Sequence, residues 1–381
     1  MNNIMEMIAE ETGGKSFRTF KYSFDSIRVP SLDYDDNNEI IWKDIGETEK
    51  HKSPKDLSEL AKSISKYKPL FTYFLDGSRR VFKVDDISYQ NQVFPVIAGQ
   101  IGIGCCKRES KEIKPFKFER CSVICLPKIA NKGGWNPQLF FSNLLQKINS
   151  NMSLKKNNIE FTDILTYKYL RNEGENLENK GIAVIQDLMI DKEKEMTAFL
   201  ASKNLLDQNN YLLKDGSLEY RVMSTGNFRE LRKIRNNYRW VVGVSKSFNP
   251  EKCLDIKGKN NSNYIANLKL YNRTPVSKYT SKMFGDVSFA IWYVRIREKR
   301  YTSNAFDGVL KLERILVTDE EIEHGLDSEE VDFITANIIN ERNPVCYGKD
   351  FRWANHLYPV FLTESYVKSK YISNTLFLNI F

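Results

Sequence analysis

Between residues 70 and 126 four runs follow one another closely: "LFTYFLD" (70–76), "RVFKVDD" (80–86), "VFPVIAGQIGIGCC" (93–106) and "KFERCSVICL" (117–126). Each is rich in β-branched and aromatic side chains, which suit a pleated, half-buried surface. The gaps are too short for the crossover of a dozen or more residues that a parallel pair needs, so the runs predict an antiparallel meander. Beyond it the pattern changes. Helical spacing at 136–149, 158–173 and 183–204 leads to a strand "YLLKD" (211–215) and, after a basic stretch, to a strand "RWVVGVSKS" (239–247). Two long strands, "VSFAIWYVRIR" (287–297) and "DGVLKLERILV" (307–317), predict a hairpin, and helices at 328–342 and 359–373 complete the pattern. Strands first and alternation afterwards predict a mixed α/β protein. Residues 1–67 are polar, with one amphipathic helix over 54–67 that sets Leu57, Leu60 and Ile64 on one face, and they read as an N-terminal helical extension.

Composition narrows the function classes. With 41% hydrophobic residues the chain fills a core. The start "MNNIMEMIAEETGG" has neither a basic n-region nor an apolar h-region, and no run approaches the ~20 apolar residues of a membrane span, so the expectation is a soluble, cytoplasmic protein. The six cysteines form no C-x-x-C pair and the three histidines are scattered, which argues against a zinc site. Gly99, Gly102 and Gly104 are followed by neither Lys-Ser/Thr nor a helix, so they read as strand glycines or a bulge, and a nucleotide-binding enzyme built on them is the weakest reading.

A formal charge of +8 permits a nucleic-acid partner. In "FRELRKIRNNYRW" (228–240), Arg232, Arg235 and Arg239 stand among Phe228, Tyr238 and Trp240, a mixture that suits phosphates and stacked bases. The plainer alternative is a helix with a solvated basic face. Arg295, Arg297 and Arg314 on the long strands either line a DNA channel or cover an exposed strand face, with Glu313 pairing one of them.

Two apolar runs end in Asp-Gly-Ser: "YFLDGSRR" (73–80) and "YLLKDGSL" (211–218). Asp-Gly after such a run is ordinarily a hairpin turn. It also fixes a carboxylate at a sheet edge while the glycine lets the chain turn away, and two such carboxylates, Asp76 and Asp215, can share a hard divalent cation. On the helix expected at 183–204, at 100° per residue, Ile185, Leu188, Met189, Met196, Phe199 and Leu200 form an apolar arc. Glu195 borders it on one side and Glu193 on the other; Asp191 lies farther out. Rotation alone does not choose between the two glutamates.

This order of meander, helix, strand and final helix, with acids at Asp76, in 191–195, at Asp215 and in the last helix, resembles the ribonuclease H-like plan: a mixed β-sheet flanked by helices that cleaves phosphodiesters with two metal ions. The blocks "FLDGSRR", "YLLKDGSL", "RWVVGVSKSF", "FAIWYVRIR" with "DGVLKLERI", and "LYPVFLTESYVKSK" resemble, in that order, those of the NurA nucleases, which process DNA ends with the hexameric ATPase HerA. The resemblance implies a NurA-like nuclease domain over 68–381 that uses two Mn²⁺ or Mg²⁺ ions in single-strand endonuclease and 5′–3′ exonuclease cleavage. It also implies a homodimer, a HerA-like partner and a role in DNA repair or defence. It assigns catalysis to Asp76, Glu195, Asp215 and Lys246, preferring Glu195 to Glu193. Metal binding falls to Asp76, Glu195, Asp215 and Glu364. Where the family's closing helix commonly has a histidine, this chain has Glu364 and Tyr366, with His356 upstream in an expected loop. That departure supports an alternative: a catalytically impaired DNA-binding or adaptor subunit of a HerA-like translocase.

Overall fold

The computed structural model describes the chain except residues 1–2, 18, 20, 25–39, 42–43, 52, 133, 135, 169–175, 220–227, 255–258, 282–286, 303 and 346–352. Cys346 and the side chains of Phe228 and Arg232 lie outside the described part.

The meander is present as three long antiparallel strands: β1 (Phe71–Tyr89), β2 (Gln92–Glu109) and β3 (Glu112–Pro127). The first two runs are one strand. Asp76, Gly77 and Ser78 do not turn; they pair in register with Gly104, Ile103 and Gly102 of β2. That pairing runs from Tyr73 to Tyr89 with one irregularity between Lys83 and Asp85, and continuous ladder hydrogen bonds override the local turn preference of Asp-Gly. β4 (Asp163–Tyr167) lies parallel to β3 where a helix over 158–173 was expected. Its five residues, "DILTY", are too few for a helical period to distinguish a helix from a short buried strand.

β5 (Tyr211–Asp215) adds to β1 in parallel, and β6 (Val241–Ser245) adds in parallel to β5. Beyond β6 the sheet continues antiparallel through β7 (Ser277–Ser281), β8 (Val287–Arg295) and β9 (Val309–Ile315), with the expected hairpin between β8 and β9. The spatial order is β7-β8-β9-β6-β5-β1-β2-β3-β4.

Among the described helices are α1 (Ile4–Thr12), α2 (Ser58–Ile64), α3 (Pro137–Asn149), α4 (Leu177–Ser202), α5 (Phe228–Tyr238), α6 (Ser328–Asn340), α7 (Tyr358–Ser369) and α8 (Asn374–Asn379). The molecule is thus a mixed α/β protein with a large mixed sheet flanked by helices. α4 and α7 cover opposite faces of the meander. On one face Leu75, Ile101 and Ile103 pack with Ile185, Met189 and Met196 of α4. On the other, Phe74 and Leu213 share a core with Ile334 and Ile338 of α6 and Val360 of α7. The β2 glycines serve this layering: a Cβ on Gly99 would press on Ile185 of α4, and one on Gly102 would press on Val367 of α7.

The first 67 residues carry α1 and α2 but are also laced into the sheet. Lys15–Ser16 and Tyr22–Ser23 pair with the far half of β1. Ile45 pairs with Ser277, and Lys55 with Arg273. Glu47 is buried against Arg273, 2.8 Å from its Nη2, while Asp332 of α6 lies 2.6 Å from the same guanidinium at Nε.

Candidate active site

The site lies where neighbouring strands stop and β1 continues. β5 pairs with β1 over Phe71–Leu75 and ends at Asp215, whereas the N-terminal strands take up that edge of β1 only from Phe82. The edge between is left unpaired by the described strands, and Asp76 stands at its start. Crevices at the carboxyl ends of parallel strands are the usual ligand sites of open α/β sheets.

Lys214 is in register with Leu75, so Asp215 falls beside Asp76, on the face covered by α7. Lys246, just past the end of β6, joins them there: its Nζ is 2.8 Å from Asp215 Oδ2 and 3.1 Å from Glu364 Oε2 of α7. Lys368, one helical turn along, lies 2.6 Å from the other oxygen of Glu364. Burial pushes Glu364 up, but the Lys246 charge and the Lys368 hydrogen bond outweigh it and hold its pKa down at about 2. Burial likewise pushes Lys246 down, yet the facing Asp215 and Glu364 keep its ammonium above the usual lysine range. Asp76 differs. It is 5% exposed, and its Oδ2 has no hydrogen-bond partner. Burial first, then the Asp215 charge, pushes its pKa well above the carboxylate range, against the pull of Lys246.

On the opposite face of the same strands, Glu193 of α4 pairs with Lys214 at 2.9 Å, both buried. Lys214 Nζ also donates to the Asp215 carbonyl (2.9 Å) and the Ser217 carbonyl (3.3 Å), so it ties the helix to the turn that carries Asp215. Burial raises the Glu193 pKa, against the pull of Lys214. The glycine after Asp76 now has its reason: a Cβ on Gly77 would collide with the Glu193 carboxylate, coming within 2.9 Å of its Cδ. Gly216 in the second copy serves differently, turning the chain at φ +86°. The two Asp-Gly-Ser copies are therefore a strand interior and a true strand end.

Of the two helix glutamates, Glu193 lies against Gly77, behind the cluster, whereas the expected Glu195 faces solvent 2.6 Å from Lys192. The two residues border the apolar arc symmetrically, and only the vacancy over Gly77 separates them. Lys214 was missed altogether, and Glu313 was read only as a partner for an arginine. A lone lysine inside the apolar run "YLLKD" was the signal for the first, since a buried ammonium requires an anion. Glu313 pairs with Lys311 (2.6 Å) rather than with an arginine, and accepts from Ser217 Oγ (2.7 Å) and Leu218 N (2.8 Å), which pins the turn after Asp215.

The expected DNA-binding arginines are not gathered at this crevice. Arg295 is 1% exposed and donates to the carbonyls of Leu268, Asp307, Ala266 and Ala305, so it ties loops together and touches no solvent channel. Arg297 donates to Asn343 and Val345 carbonyls, and Arg314 pairs with Glu330 and Glu321. α5 packs through Ile234 and Tyr238 into the α4 core, across the sheet from Asp76. Its Arg235 is exposed 3.3 Å from Asp319, and Arg239 lies over the Trp240 ring. His356 is buried in a loop, stacked on Trp353, and Tyr366 packs edge-on against Phe118.

The donors suit a hard divalent cation in kind: carboxylate oxygens from neighbouring strands, one of them buried without a partner. Among the described residues no three potential ligands converge as they stand, and Lys246 holds both Asp215 and Glu364. Fold and site together define a mixed-sheet α/β protein whose sheet opens onto paired carboxylates faced by a lysine. No family model and no curated protein matches the chain. Among solved structures, the NurA nuclease from Sulfolobus solfataricus superposes with a TM-score of 0.42 at 11% identity, covering 85% of this chain and 88% of that one. Likeness at that level assigns no family.

Proposed function

We propose that the chain is a metal-dependent nuclease that hydrolyses DNA phosphodiester bonds in the crevice beside Asp76. The observation that carries the reading is Asp76 itself, a buried carboxylate with one unpartnered oxygen beside Asp215. A buried carboxylate whose neighbouring charges do not compensate its burial is costly, and a hard cation relieves that cost. Asp76 and Asp215 are the residues that would hold it, joined by Glu364 once Lys246 releases it. When bound, Mn²⁺ or Mg²⁺ supplies an activated water and a counter-charge for the leaving oxygen. Lys246, kept protonated by its carboxylate neighbours, would donate to a phosphate oxygen. Glu193 and Lys214 hold the Asp215 turn from behind. A homodimer working with a HerA-like hexameric ATPase in end processing or defence belongs to the same proposal, supported by the order of the sequence blocks alone.

The test is cleavage of labelled single- and double-stranded DNA with Mn²⁺ or Mg²⁺, with and without a HerA-like ATPase. Asp76→Asn and Asp215→Asn are expected to lower the rate on the order of 100-fold or more, comparable to removing a preorganised charge-stabilising group. Glu193→Gln should impair cleavage, and Glu195→Ala should leave it within about twofold, as for surface changes. A wild-type protein that cuts neither substrate under any of these conditions sinks the reading. One observation favours a second reading, a DNA-binding or adaptor subunit with an idle site: Lys246 closes Asp215 and Glu364 onto itself. Binding without cleavage would select it.

A further inference from the structure

The face that holds Asp76 continues along β1 into a basic strip. Asp76, Ser78 and Arg80 alternate onto one side of the strand, passing from buried at 76 to half-buried by 80. Arg80 is four residues from Asp76, about 13 Å along the strand. Its guanidinium lies 4.8 Å from the centre of the Tyr371 ring and donates to Asn374 at 3.3 Å. Across the sheet, Ser78 is in register with Gly102 and Gly102 with Arg120. Arg120 donates to the Lys370 carbonyl at 3.4 Å, and the Lys370 ammonium lies 5.2 Å from the Tyr366 ring centre. Among the described residues none of these three cations pairs with a carboxylate, unlike nearby Lys117, which pairs with Glu119 at 3.1 Å. The connection from α7 to α8 that carries Tyr371 is fixed: buried Gln100 donates to the Ile372 carbonyl (3.1 Å) and accepts from its N–H (2.8 Å).

We infer that a single-stranded DNA segment reaches the crevice over the strip formed by Arg80, Arg120 and Lys370 with the rings of Tyr366 and Tyr371; this rests on the nuclease reading above. Three unpaired cations suit consecutive phosphates. Partly buried rings beside them can meet only bases that are unstacked, which a duplex does not present. The basic helix α5 lies on the other face of the sheet and does not share this path.

The experiment is fluorescence anisotropy of a labelled dT20 oligonucleotide in EDTA across a salt series. The triple variant Arg80→Gln/Arg120→Gln/Lys370→Gln is expected to bind at least tenfold more weakly, with a log–log salt slope shallower by about 2, from ~0.7 per contact on single strands. Tyr366→Leu should weaken binding about fivefold with the slope unchanged, as for the loss of one stacking platform. The charge-preserving variant Arg80→Lys/Arg120→Lys/Lys370→Arg should keep the wild-type slope and controls for folding, and Arg235→Gln should bind as wild type. An unchanged slope in the triple variant overturns the inference. So does a wild type that fails to bind dT20, or one whose duplex binding is equally weakened by the triple variant. Cleavage by the wild type is read separately: activity with no effect of the strip variants removes this inference alone, whereas binding through the strip without cleavage removes the nuclease reading instead.

Discussion

Asp76 stores a cost that its protein neighbours do not offset. Burial and the Asp215 charge raise its pKa in the folded state, so its unfavourable contribution is present at neutral pH and fades as the pH falls toward its unfolded value. Asp76→Asn is therefore expected to raise thermal stability in EDTA at pH 8, with the gain shrinking toward pH 4, while cleavage is lost. Melting curves across that range decide it, and equal stability of the two proteins at pH 8 would show that the carboxylate is already compensated. Single residues were partly legible from sequence. The Asp-Gly pattern singled out both Asp76 and Asp215, but only Asp215 ends its strand, while Asp76 sits inside β1. The choice between Glu193 and Glu195 does not, because both flank the apolar arc and a contact with Gly77 on a distant strand separates them.

Elements were read well where periodicity and length agreed, as in "YLLKD" and in the hairpin of "VSFAIWYVRIR" with "DGVLKLERILV". They were misread where a local signal met a stronger partner. Asp-Gly at 76–77 signals a turn, yet sixteen register pairs with β2 carry the strand straight through. Alternation on β8 placed Arg295 on an exposed face, whereas loops fold over it and take four of its hydrogen bonds. Removing that guanidinium leaves buried carbonyls unpaired, at ~1–3 kcal/mol each. Arg295→Met is thus expected to cost on the order of 3 kcal/mol or more in urea unfolding, with dT20 affinity of the folded protein unchanged. A variant of wild-type stability with weakened DNA binding would return Arg295 to a DNA channel.

At the scale of the molecule, the N-terminal segment read as an appendage because its polar composition carries no strand period. Its short strands are defined by the edges they cover, and its Glu47 is a buried counter-charge for Arg273. Deleting residues 1–48 is expected to abolish soluble folding or to lower the urea midpoint sharply, since breaking a buried ion pair alone costs about 3–5 kcal/mol. A truncated protein that unfolds like the full chain would establish the segment as dispensable. The volume left empty at Gly77 carries one more consequence, for inheritance. A side chain at 77 would enter the space that Glu193 fills from a distant part of the chain, so 77 is not free to enlarge while 193 keeps its glutamate. Lineages that acquire a larger residue at 77 should therefore carry a shorter residue at 193.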